Sequence, residues 1–506
     1  MLIRILKIMS RYKVPFLITC LVLVGLGLRF YGLLSSELYR DEAYSGLVAQ
    51  QDFAGIISTA TNDSSVPFAF FIQHIFGEIF GYSAFSLRLP SFLFSVIGML
   101  YFWKLLGLTS LKKITKYFVF VLFCLNPPLI YNAAEARFYS IFATLFIYQL
   151  YLVTRIWQKK QITLSDQLAF LITSIIGIYN HSLYWLVLLG WGLTALFYIK
   201  YTFFNNRKSV VATLKKIALP YLLILLSFIP WVQILITQYA RGGNGTWLKF
   251  DFYNTLVITL ADFMYWPGGF NIYALDINGM CVFILGHLAI LIVGFAIIKI
   301  LTEMPPVPII NKFYSLLFTF FIVLFFVISV KTPLYYVRYQ AFLIPIYLIL
   351  LGMGIEFLNK KIRYFLIVVI LLLTIFVQLK VIYPRDQANA CLTDVISQID
   401  LSHGSNYLVI NKDALTYFNL EFYGGEKYTS LIFDKYLATP FWVGKAIIPE
   451  NRFIQSIPKG KDQIFIVSDS GLEKNILSDL ALQQYTKSEE YSYNQGLKLF
   501  LYVKNQ

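Results

Sequence analysis

The sequence is short of charge: only 14% of its 506 residues are Asp, Glu, Lys or Arg, whereas 58% are hydrophobic. This leaves too little polar surface for a soluble globular protein of this length. Apolar runs recur between residues 15 and 383, and each has roughly the 20 residues that a helix needs to cross a hydrocarbon core about 30 Å thick. The runs lack the two-residue alternation of a transmembrane barrel. The chain is therefore predicted to be an all-α polytopic membrane protein.

Cysteine and histidine are also scarce, with four of each, and both are scattered along the chain. Their positions exclude a disulfide framework, a CxxC site and any recognisable metal-ligand spacing. The sequence has no P-loop, no dinucleotide-binding fingerprint and no internal repeat. We therefore expect no required cofactor; a divalent metal stays an open alternative that no motif indicates. An external active site has no access to cytoplasmic nucleotide sugars or ATP, so an activated lipid or an ion gradient must supply its energy.

The apolar runs predict about eleven membrane spans with the N-terminus inside. The Lys and Arg residues near 112–116, 155–160, 200–216 and 360–363 then fall on the cytoplasmic side, as the positive-inside rule requires. The net charge of +15 is thus explained by topology and not by nucleic-acid binding. The predicted spans are at about 15–34, 84–105, 117–133, 138–155, 166–180, 183–199, 217–237, 279–300, 313–330, 338–357 and 363–383.

Two larger segments lie outside these spans. The first external loop, 35–83, contains the short apolar stretch Val66–Phe80, which is predicted to be an amphipathic helix in the membrane interface. The tail, 385–506, has about 120 residues, enough for one core. Its strand-length runs and helical patterns predict a small extracytoplasmic α/β domain after a membrane domain at 1–384. The strands are expected at 407–410, 430–433, 463–467 and 497–503, and the helices at about 387–399, 412–422 and 471–481.

Charged side chains collect on the predicted external side. Carboxylates cost free energy near hydrocarbon, so acidic residues beside a span indicate a functional site. A carboxylate base beside fixed arginines suits transfer of a group from a phosphate: the base deprotonates a hydroxyl while the cations stabilise the departing phosphate. The residues in question are Asp41, Glu42, Arg88, Glu135, Arg137, Lys331 and Arg338.

Several of these residues, and two further residues on the predicted external side, also have a structural interpretation. The pair Asp41-Glu42 would act as a helix cap, and Arg88 would anchor the start of a span at the interface. His181 would cap a tight turn, and Trp247 would anchor a loop at the membrane surface or stack on a sugar ring. The predicted topology places all of them on one side of the membrane, which favours a shared function.

The order of several motifs resembles that of GT-C glycosyltransferases of the protein O-mannosyltransferase and aminoarabinose-transferase type, glycosyltransferase family 39 or 83. The resemblance covers nearly all of residues 15–383, and the tail resembles the outer domain of bacterial members. The motifs are Asp41-Glu42-Ala43, Asp63-Ser64-Ser65-Val66-Pro67-Phe68, Phe85-Ser86-Leu87-Arg88-Leu89-Pro90-Ser91, Glu135-Ala136-Arg137-Phe138-Tyr139, Tyr179-Asn180-His181-Ser182 and Val337-Arg338-Tyr339.

The resemblance implies roles for individual residues. Asp41 would be the catalytic base, and Glu42 would help to hold the acceptor. Glu135 would be a second acid, while Arg137 and Arg338 would contact the phosphate of the donor lipid.

Further contacts are implied around these residues. Tyr339 and Arg88 would extend the phosphate site, and Asp63, His181 and Trp247 would make weaker substrate contacts. Two positions depart from the family: Ser65-Val66-Pro67 stands where many members have His-Pro-Pro or Lys-Pro, and Glu135 stands where the aminoarabinose branch has Asp.

These features predict an integral-membrane glycosyltransferase of the cell envelope, a mannosyltransferase-like hexosyl- or pentosyltransferase. It would transfer a sugar, with inversion, from an undecaprenyl- or dolichyl-phosphate carrier to a hydroxyl of a lipid, glycan or protein. The reaction would take place on the extracytoplasmic face of the plasma membrane. Two alternatives stay open: a transporter or flippase of lipid-linked glycans that binds phosphate without chemistry, and a polymerase or ligase that uses diphosphate-linked glycans.

Overall fold

The structure is a computed structural model. It divides the chain into two compact units. The helical unit combines residues 1–33, 91–232 and 246–383, and the mixed unit combines residues 34–90, 233–245 and 384–506. The residues described are 2–34, 37–38, 40–203, 207–242, 250–265, 277–302, 308–332, 334, 337–381, 392–404, 406–428, 430–434, 439, 443–458, 460–468, 484–493 and 496–505.

Helices dominate the chain as far as residue 381. They are α1 (Leu2–Leu34), α2 (Asp41–Ala49), α3 (Phe53–Asn62), α4 (Phe68–Phe80), α5 (Ala84–Leu108), α6 (Lys113–Leu125), α7 (Pro127–Ala133), α8 (Tyr139–Lys159), α9 (Leu164–Asn180), α10 (Tyr184–Phe203), α11 (Arg207–Gly242), α12 (Thr259–Tyr265), α13 (Ile277–Thr302), α14 (Ile309–Lys331), α15 (Val337–Gln340), α16 (Ile344–Phe357) and α17 (Lys360–Val381). A π-helical segment, Asn254–Ile258, precedes α12.

Among the described residues, eight helices are long and apolar enough to cross a membrane, and α6 with α7, bent by 47°, would form a ninth. The chain is therefore a multi-pass membrane protein. Helices α9 and α10 lie at the two remaining predicted positions but are not among these eight. The count of about eleven spans and the direction of the chain across the membrane stay predictions.

The segment Val337–Phe357 lies at the centre of the helical unit. Inside the structure, 89% of its apolar stretch is buried. Helix α16 packs there against α6, α13 and α14. Gly354 allows α13 to approach closely, because a Cβ atom at this position would lie only 2.5 Å from the carbonyl oxygen of Ile292. Small residues at such contacts let membrane helices pack closely.

The break between α6 and α7 is held by side chains from other helices. Pro127 and Pro128 cannot donate backbone hydrogen bonds, so carbonyl groups at the end of α6 need other donors. The fully buried Arg29 of α1 donates to the carbonyl oxygens of Phe123 and Cys124. Gln378 of α17 donates to the carbonyl oxygen of Leu125. The break therefore directs α7 and the Glu135–Arg137 segment away from the axis of α6.

The first loop of the mixed unit contains α2, α3 and α4. The stretch predicted to lie in the membrane interface forms α4, whose 13 residues are too few to span a bilayer, since a span needs about 17 to 25. Helix α2 packs against α3 and α4. The position of α4 in the membrane interface stays a prediction.

The tail forms a six-stranded sheet with helices α18 (Leu392–Ser402) and α19 (Ala414–Gly424). The order is β3-β2-β1-β4-β6-β5. Strands β1 to β4 pair in parallel, whereas β6 pairs antiparallel with β4 and β5. The strands are β1 (Tyr407–Asn411), β2 (Ser430–Phe433), β3 (Phe453–Ile454), β4 (Gln463–Ser468), β5 (Tyr485–Ser492) and β6 (Lys498–Lys504).

The four strands predicted from sequence are confirmed as β1, β2, β4 and β6, and the first two predicted helices correspond to α18 and α19. Strand β5 was missed because its sequence, Tyr-Thr-Lys-Ser-Glu-Glu-Tyr-Ser, is mostly polar and exposed at the edge of the sheet. Strand β3 has only two residues. The helix expected at about 471–481 lies outside the described residues.

Candidate functional site

The predicted base, Asp41, is the first residue of α2 and is partly buried. A carboxylate is favoured in the first turn of a helix, where backbone N–H groups point outward. The hydroxyl of Ser45 donates to the backbone carbonyl of Asp41 over 2.9 Å. The side chain of Asp41 is thus placed at a helix start, within the first loop of the mixed unit.

Glu42 and Arg88, predicted to contact acceptor and donor, form a buried ion pair. Arg88 Nε donates to Glu42 Oε1 over 2.8 Å, and Arg88 Nη2 donates to Glu42 Oε2 over 2.7 Å. Nη2 also donates to the carbonyl oxygen of Glu37 over 3.0 Å. Arg88 is fully buried and Glu42 is 6% exposed. This pair fixes α2 against the start of α5, a role that the sequence did not indicate; the substrate contacts expected of both residues stay predictions.

Asp63 also contributes to the support of α2. Its Oδ2 accepts hydrogen bonds from the hydroxyl of Tyr44, over 2.6 Å, and from that of Ser65, over 3.0 Å. Asp63 is 3% exposed and Tyr44 is 7% exposed. Asp63 therefore holds the helix that carries Asp41, whereas its predicted contact with substrate stays a prediction.

The C-terminal sheet domain contacts the same helix. A Cβ atom on Gly46 of α2 would meet the ring of Phe422 in α19 at 2.5 Å, and the rings of Tyr44 and Phe418 lie 5.2 Å apart. The carboxylate of Glu37 accepts the backbone N–H groups that begin α18, including that of Leu392 over 2.6 Å. These contacts join residues that are more than three hundred positions apart in the sequence; Glu37 and Leu392 are separated by 355. No local sequence pattern predicts them.

The helical unit contains a second group of predicted residues. Arg338 Nη2 lies 3.8 Å from Glu135 Oε1, and the two side chains are 18% and 5% exposed. The guanidinium of Arg338 lies over the ring of Tyr139, 5.5 Å from its centroid. The ion pair connects the turn that follows α7 to the short helix α15.

Arg137 belongs to the same turn as Glu135. Its guanidinium lies over the ring of Phe138, 5.0 Å from the centroid, and its carbonyl oxygen accepts a 3.0 Å hydrogen bond from Ser91. Together Glu135, Arg137 and Arg338 carry one net positive charge. Arginine forks of this kind bind phosphate oxygens in pairs.

His181 ends α9 and lies beside these residues. Its ring is 4.3 Å from that of Phe138 and 6.2 Å from that of Tyr339. Nδ1 accepts the backbone N–H of Leu183 over 3.0 Å, which confirms the local turn-capping role. Burial, followed by the positive charge of Arg137, lowers the pKa of His181 to about 3. The imidazole is therefore neutral at physiological pH.

Two buried amides next to this group were not predicted from the sequence. Asn132 lies in α7, shortly before Glu135, and is 2% exposed. Gln340 lies in α15, shortly after Arg338, and is fully buried. Within the described part of the chain, neither side-chain amide has a hydrogen-bond partner. Helices α7 and α15 pack against each other. Buried amides without partners are uncommon in proteins, so each calls for an explanation, such as an ordered water or a bound polar group.

The helical unit thus brings together Glu135, Arg137, His181, Arg338 and Tyr339, and the mixed unit brings together Asp41, Glu42, Asp63 and Arg88. Trp247 lies outside the described residues. No group of three or more His, Cys, Asp or Glu side chains among the described residues is arranged to hold a metal ion.

No protein-family model and no curated protein sequence matches this chain. The chain is similar to the crystal structure of ArnT from Cupriavidus metallidurans bound to undecaprenyl phosphate, with 12% identity and a TM-score of 0.59 over 96% of this chain and 99% of ArnT. It is also similar to the archaeal oligosaccharyltransferase AglB from Archaeoglobus fulgidus, in complex with an inhibitory peptide and a dolichol-phosphate. Here the identity is 11% and the TM-score 0.52, over 98% of this chain and 75% of AglB. These similarities confirm the GT-C fold expected from the sequence.

Proposed function

We propose that this protein is an integral-membrane glycosyltransferase that transfers a sugar from a polyprenyl-phosphate donor to a hydroxyl acceptor on the extracytoplasmic face of the membrane. The observation that carries the proposal is the cationic group Arg137 and Arg338 around Glu135, in a chain with the GT-C fold. The structures of similar fold contain undecaprenyl phosphate in ArnT and a dolichol-phosphate in AglB. A lipid phosphate is the ligand that such an arginine pair suits best.

In the proposed reaction Asp41 accepts the proton of the acceptor hydroxyl. The hydroxyl oxygen then attacks the anomeric carbon of the donor sugar from the side opposite the phosphate. The bond between this carbon and the phosphate oxygen breaks, so the sugar is transferred with inversion. Arg137 and Arg338 stabilise the charge that develops on the leaving phosphate.

Asn132 and Gln340 support the same proposal. A sugar presents several hydroxyl groups, and a carboxamide can both donate to and accept from them. The sugar, the acceptor and the anomeric configuration are not specified by these residues.

A transfer assay tests the proposal. The purified protein in lipid is given radiolabelled polyprenyl-phosphate sugars, with a membrane extract as the source of acceptor. We expect the wild-type protein to label a product and Asp41→Asn to lower kcat by about 10²- to 10⁴-fold, as expected for removal of a general base. Donor binding should be unchanged, because the substitution preserves the volume of the side chain and leaves Arg137 and Arg338, the residues proposed to bind the phosphate, in place.

Asp52→Asn is a matched control in the same loop. Asp52 is exposed and caps α3 by accepting the N–H of Gly55 over 2.7 Å, and Asn caps helices about equally well. This variant should keep full activity. Full activity in Asp41→Asn would refute the role of Asp41, and lipid movement without transfer by the wild type would favour the transporter. Product formed only from diphosphate-linked donors would favour the polymerase or ligase.

A further inference from the structure

The residue before the predicted base has an unusual backbone conformation. Arg40 has φ 51° and ψ −111°. These values are close to those of the first central residue of a type II′ turn, a position that glycine normally occupies. A side chain there costs free energy and persists only when the surroundings hold the backbone in place.

The local sequence does not supply that support. Arg40 is the N-cap of α2, and its carbonyl accepts the N–H of Tyr44 over 3.0 Å, but its side chain makes no capping hydrogen bond. In a capping box, the side chain of the third helical residue accepts the backbone N–H of the N-cap. In α2 that third residue is Ala43, which has no polar side chain.

The C-terminal domain provides the missing acceptor. Asn419 Oδ1 accepts the backbone N–H of Arg40 over 2.7 Å, and Asn419 is fully buried. Two positions earlier, the backbone N–H of Leu38 donates to the hydroxyl of Tyr423. Both acceptors project from α19, one turn apart. This helix therefore holds the backbone at Leu38 and Arg40, just before Asp41.

Helix α19 is itself firmly positioned. Asp413 and Thr416 form a complete capping box at its start. Phe418 and Phe422 from the same helix contact α2 at Tyr44 and Gly46. The Asn419 side chain therefore has little freedom to follow the turn if the turn relaxes.

We propose that Asn419 is a positioning residue for catalysis: it caps α2 from the C-terminal domain and holds the Arg40 turn so that Asp41 faces the acceptor hydroxyl. The inference rests on the proposed function, because it assigns the outer domain a part in the same reaction. It agrees with the grouping of the first loop and the C-terminal residues in one compact unit. Asn419 does not touch the reacting atoms and acts only through Asp41.

The first test is steady-state kinetics of Asn419→Ala in the full-length protein. A base displaced by about 1 Å can cost on the order of 10²-fold in rate. We therefore expect kcat to fall by about that factor. The KM for the donor should stay within about twofold of the wild-type value, because the substitution does not alter Arg137 and Arg338, the proposed phosphate-binding residues. Adding Arg40→Gly to Asn419→Ala should restore part of kcat, since glycine adopts the positive φ without strain. A variant that had merely unfolded its domain would not be rescued in this way.

Asn406→Ala is the matched control. Asn406 belongs to the same domain and donates to the carbonyl oxygen of Gly460 over 2.9 Å, so this hydrogen bond joins two segments of that domain and does not involve α2. Its kcat should equal that of the wild type. An unchanged kcat in Asn419→Ala, or a loss that Arg40→Gly does not reduce, would overturn the proposal.

Hydrogen–deuterium exchange separates this inference from the proposed function. Asn419→Ala should expose the amides of residues 40–46 to faster exchange, and Asn406→Ala should not. Unchanged exchange in Asn419→Ala overturns the capping role whatever the enzyme does. If exchange accelerates as expected but the wild-type protein transfers no sugar from any donor, the capping contact stands, and the proposed function, with the catalytic part of this inference, is refuted.

Discussion

Arg88 and Glu42 form a two-bond ion pair, 2.8 and 2.7 Å long, between the start of α5 and the helix that carries Asp41. Both side chains are almost completely buried. Because each charge compensates the other, the pair satisfies both groups while leaving Asp41 as the acidic residue of this helix that is partly accessible. Two neighbouring carboxylates in the sequence thus have different environments in the structure.

Loss of one member of this pair should destabilise the protein. Glu42→Gln or Arg88→Met leaves a buried charge uncompensated, which costs about 3–5 kcal/mol. The double variant should recover much of this loss, because the two charges disappear together. Thermal unfolding of the four proteins in detergent measures the coupling.

The exposed pair Lys427 and Asp400 in the same unit is the control, and Lys427→Met should change stability little. Should Glu42→Gln keep full stability and raise only the KM for the acceptor, the carboxylate would act on substrate, as the family resemblance implies, and the structural role would be wrong.

Arg29 should be essential for the broken helix. It donates to the Ser95 hydroxyl over 2.9 Å, to the carbonyl of Gly25 over 2.9 Å, and to carbonyls at the end of α6. Arg29→Met removes the donor of the buried Cys124 carbonyl, which faces Pro128 and has no helical N–H to accept, and a buried acceptor left without a partner costs about 1–3 kcal/mol. We expect a large drop in thermal stability, and a smaller one for Arg29→Lys, which keeps the charge but has fewer donors. The same melting temperature in Arg29→Met and wild type would contradict this role.

The parts of the fold that the sequence predicts correctly are those with local patterns. Apolar runs gave the positions of the long helices, and short apolar runs gave β1, β2, β4 and β6. The hydrogen bond from Arg40 to Asn419 and the pair of Arg88 with Glu42 join distant segments, so composition and spacing carry no trace of them. Arg29 is intermediate: an arginine inside an apolar run is a visible signal, but its partners on α6 are not.

His181 should remain neutral during catalysis. Its pKa is about 3 in the folded protein and about 6.5 in an unfolded chain. The folded state therefore binds this proton less readily than the unfolded state. The free energy of unfolding keeps its full value, as far as His181 is concerned, above about pH 6.5, and it decreases as the pH falls toward about 3. Melting temperature measured from pH 8 to pH 5 should fall less steeply in His181→Gln than in wild type.

The pH–rate profile provides a second measurement for the same residue. An ionisation between pH 6 and 8, if one is present, should persist in His181→Gln, because the imidazole has no proton to lose in that range. Disappearance of such an ionisation would show that His181 titrates in the working enzyme and that its environment differs from the buried one described above.

Arg338 should bind the donor through the geometry of its guanidinium as well as its charge. Its Nη2 lies 3.8 Å from Glu135 Oε1, so this carboxylate lowers the local positive charge beside the guanidinium. Arg338→Ala should weaken donor binding by about 10- to 100-fold, the equivalent of one lost charge-assisted contact of roughly 1.5–3 kcal/mol. Arg338→Lys should retain part of the affinity, because it keeps the charge but cannot bind two phosphate oxygens side by side.

The matched control for Arg338 is Arg155, which also pairs with a carboxylate, that of Asp166, in the helical unit. Arg155→Ala removes an ion pair of the same kind from another part of the unit, so donor affinity measured by titration of a polyprenyl phosphate should not change. Glu135→Gln should tighten binding of the free lipid phosphate, since it removes the negative charge beside Arg338. Equal loss of affinity in Arg155→Ala and Arg338→Ala would mean that both act through general stability, and the phosphate site would then have to lie elsewhere.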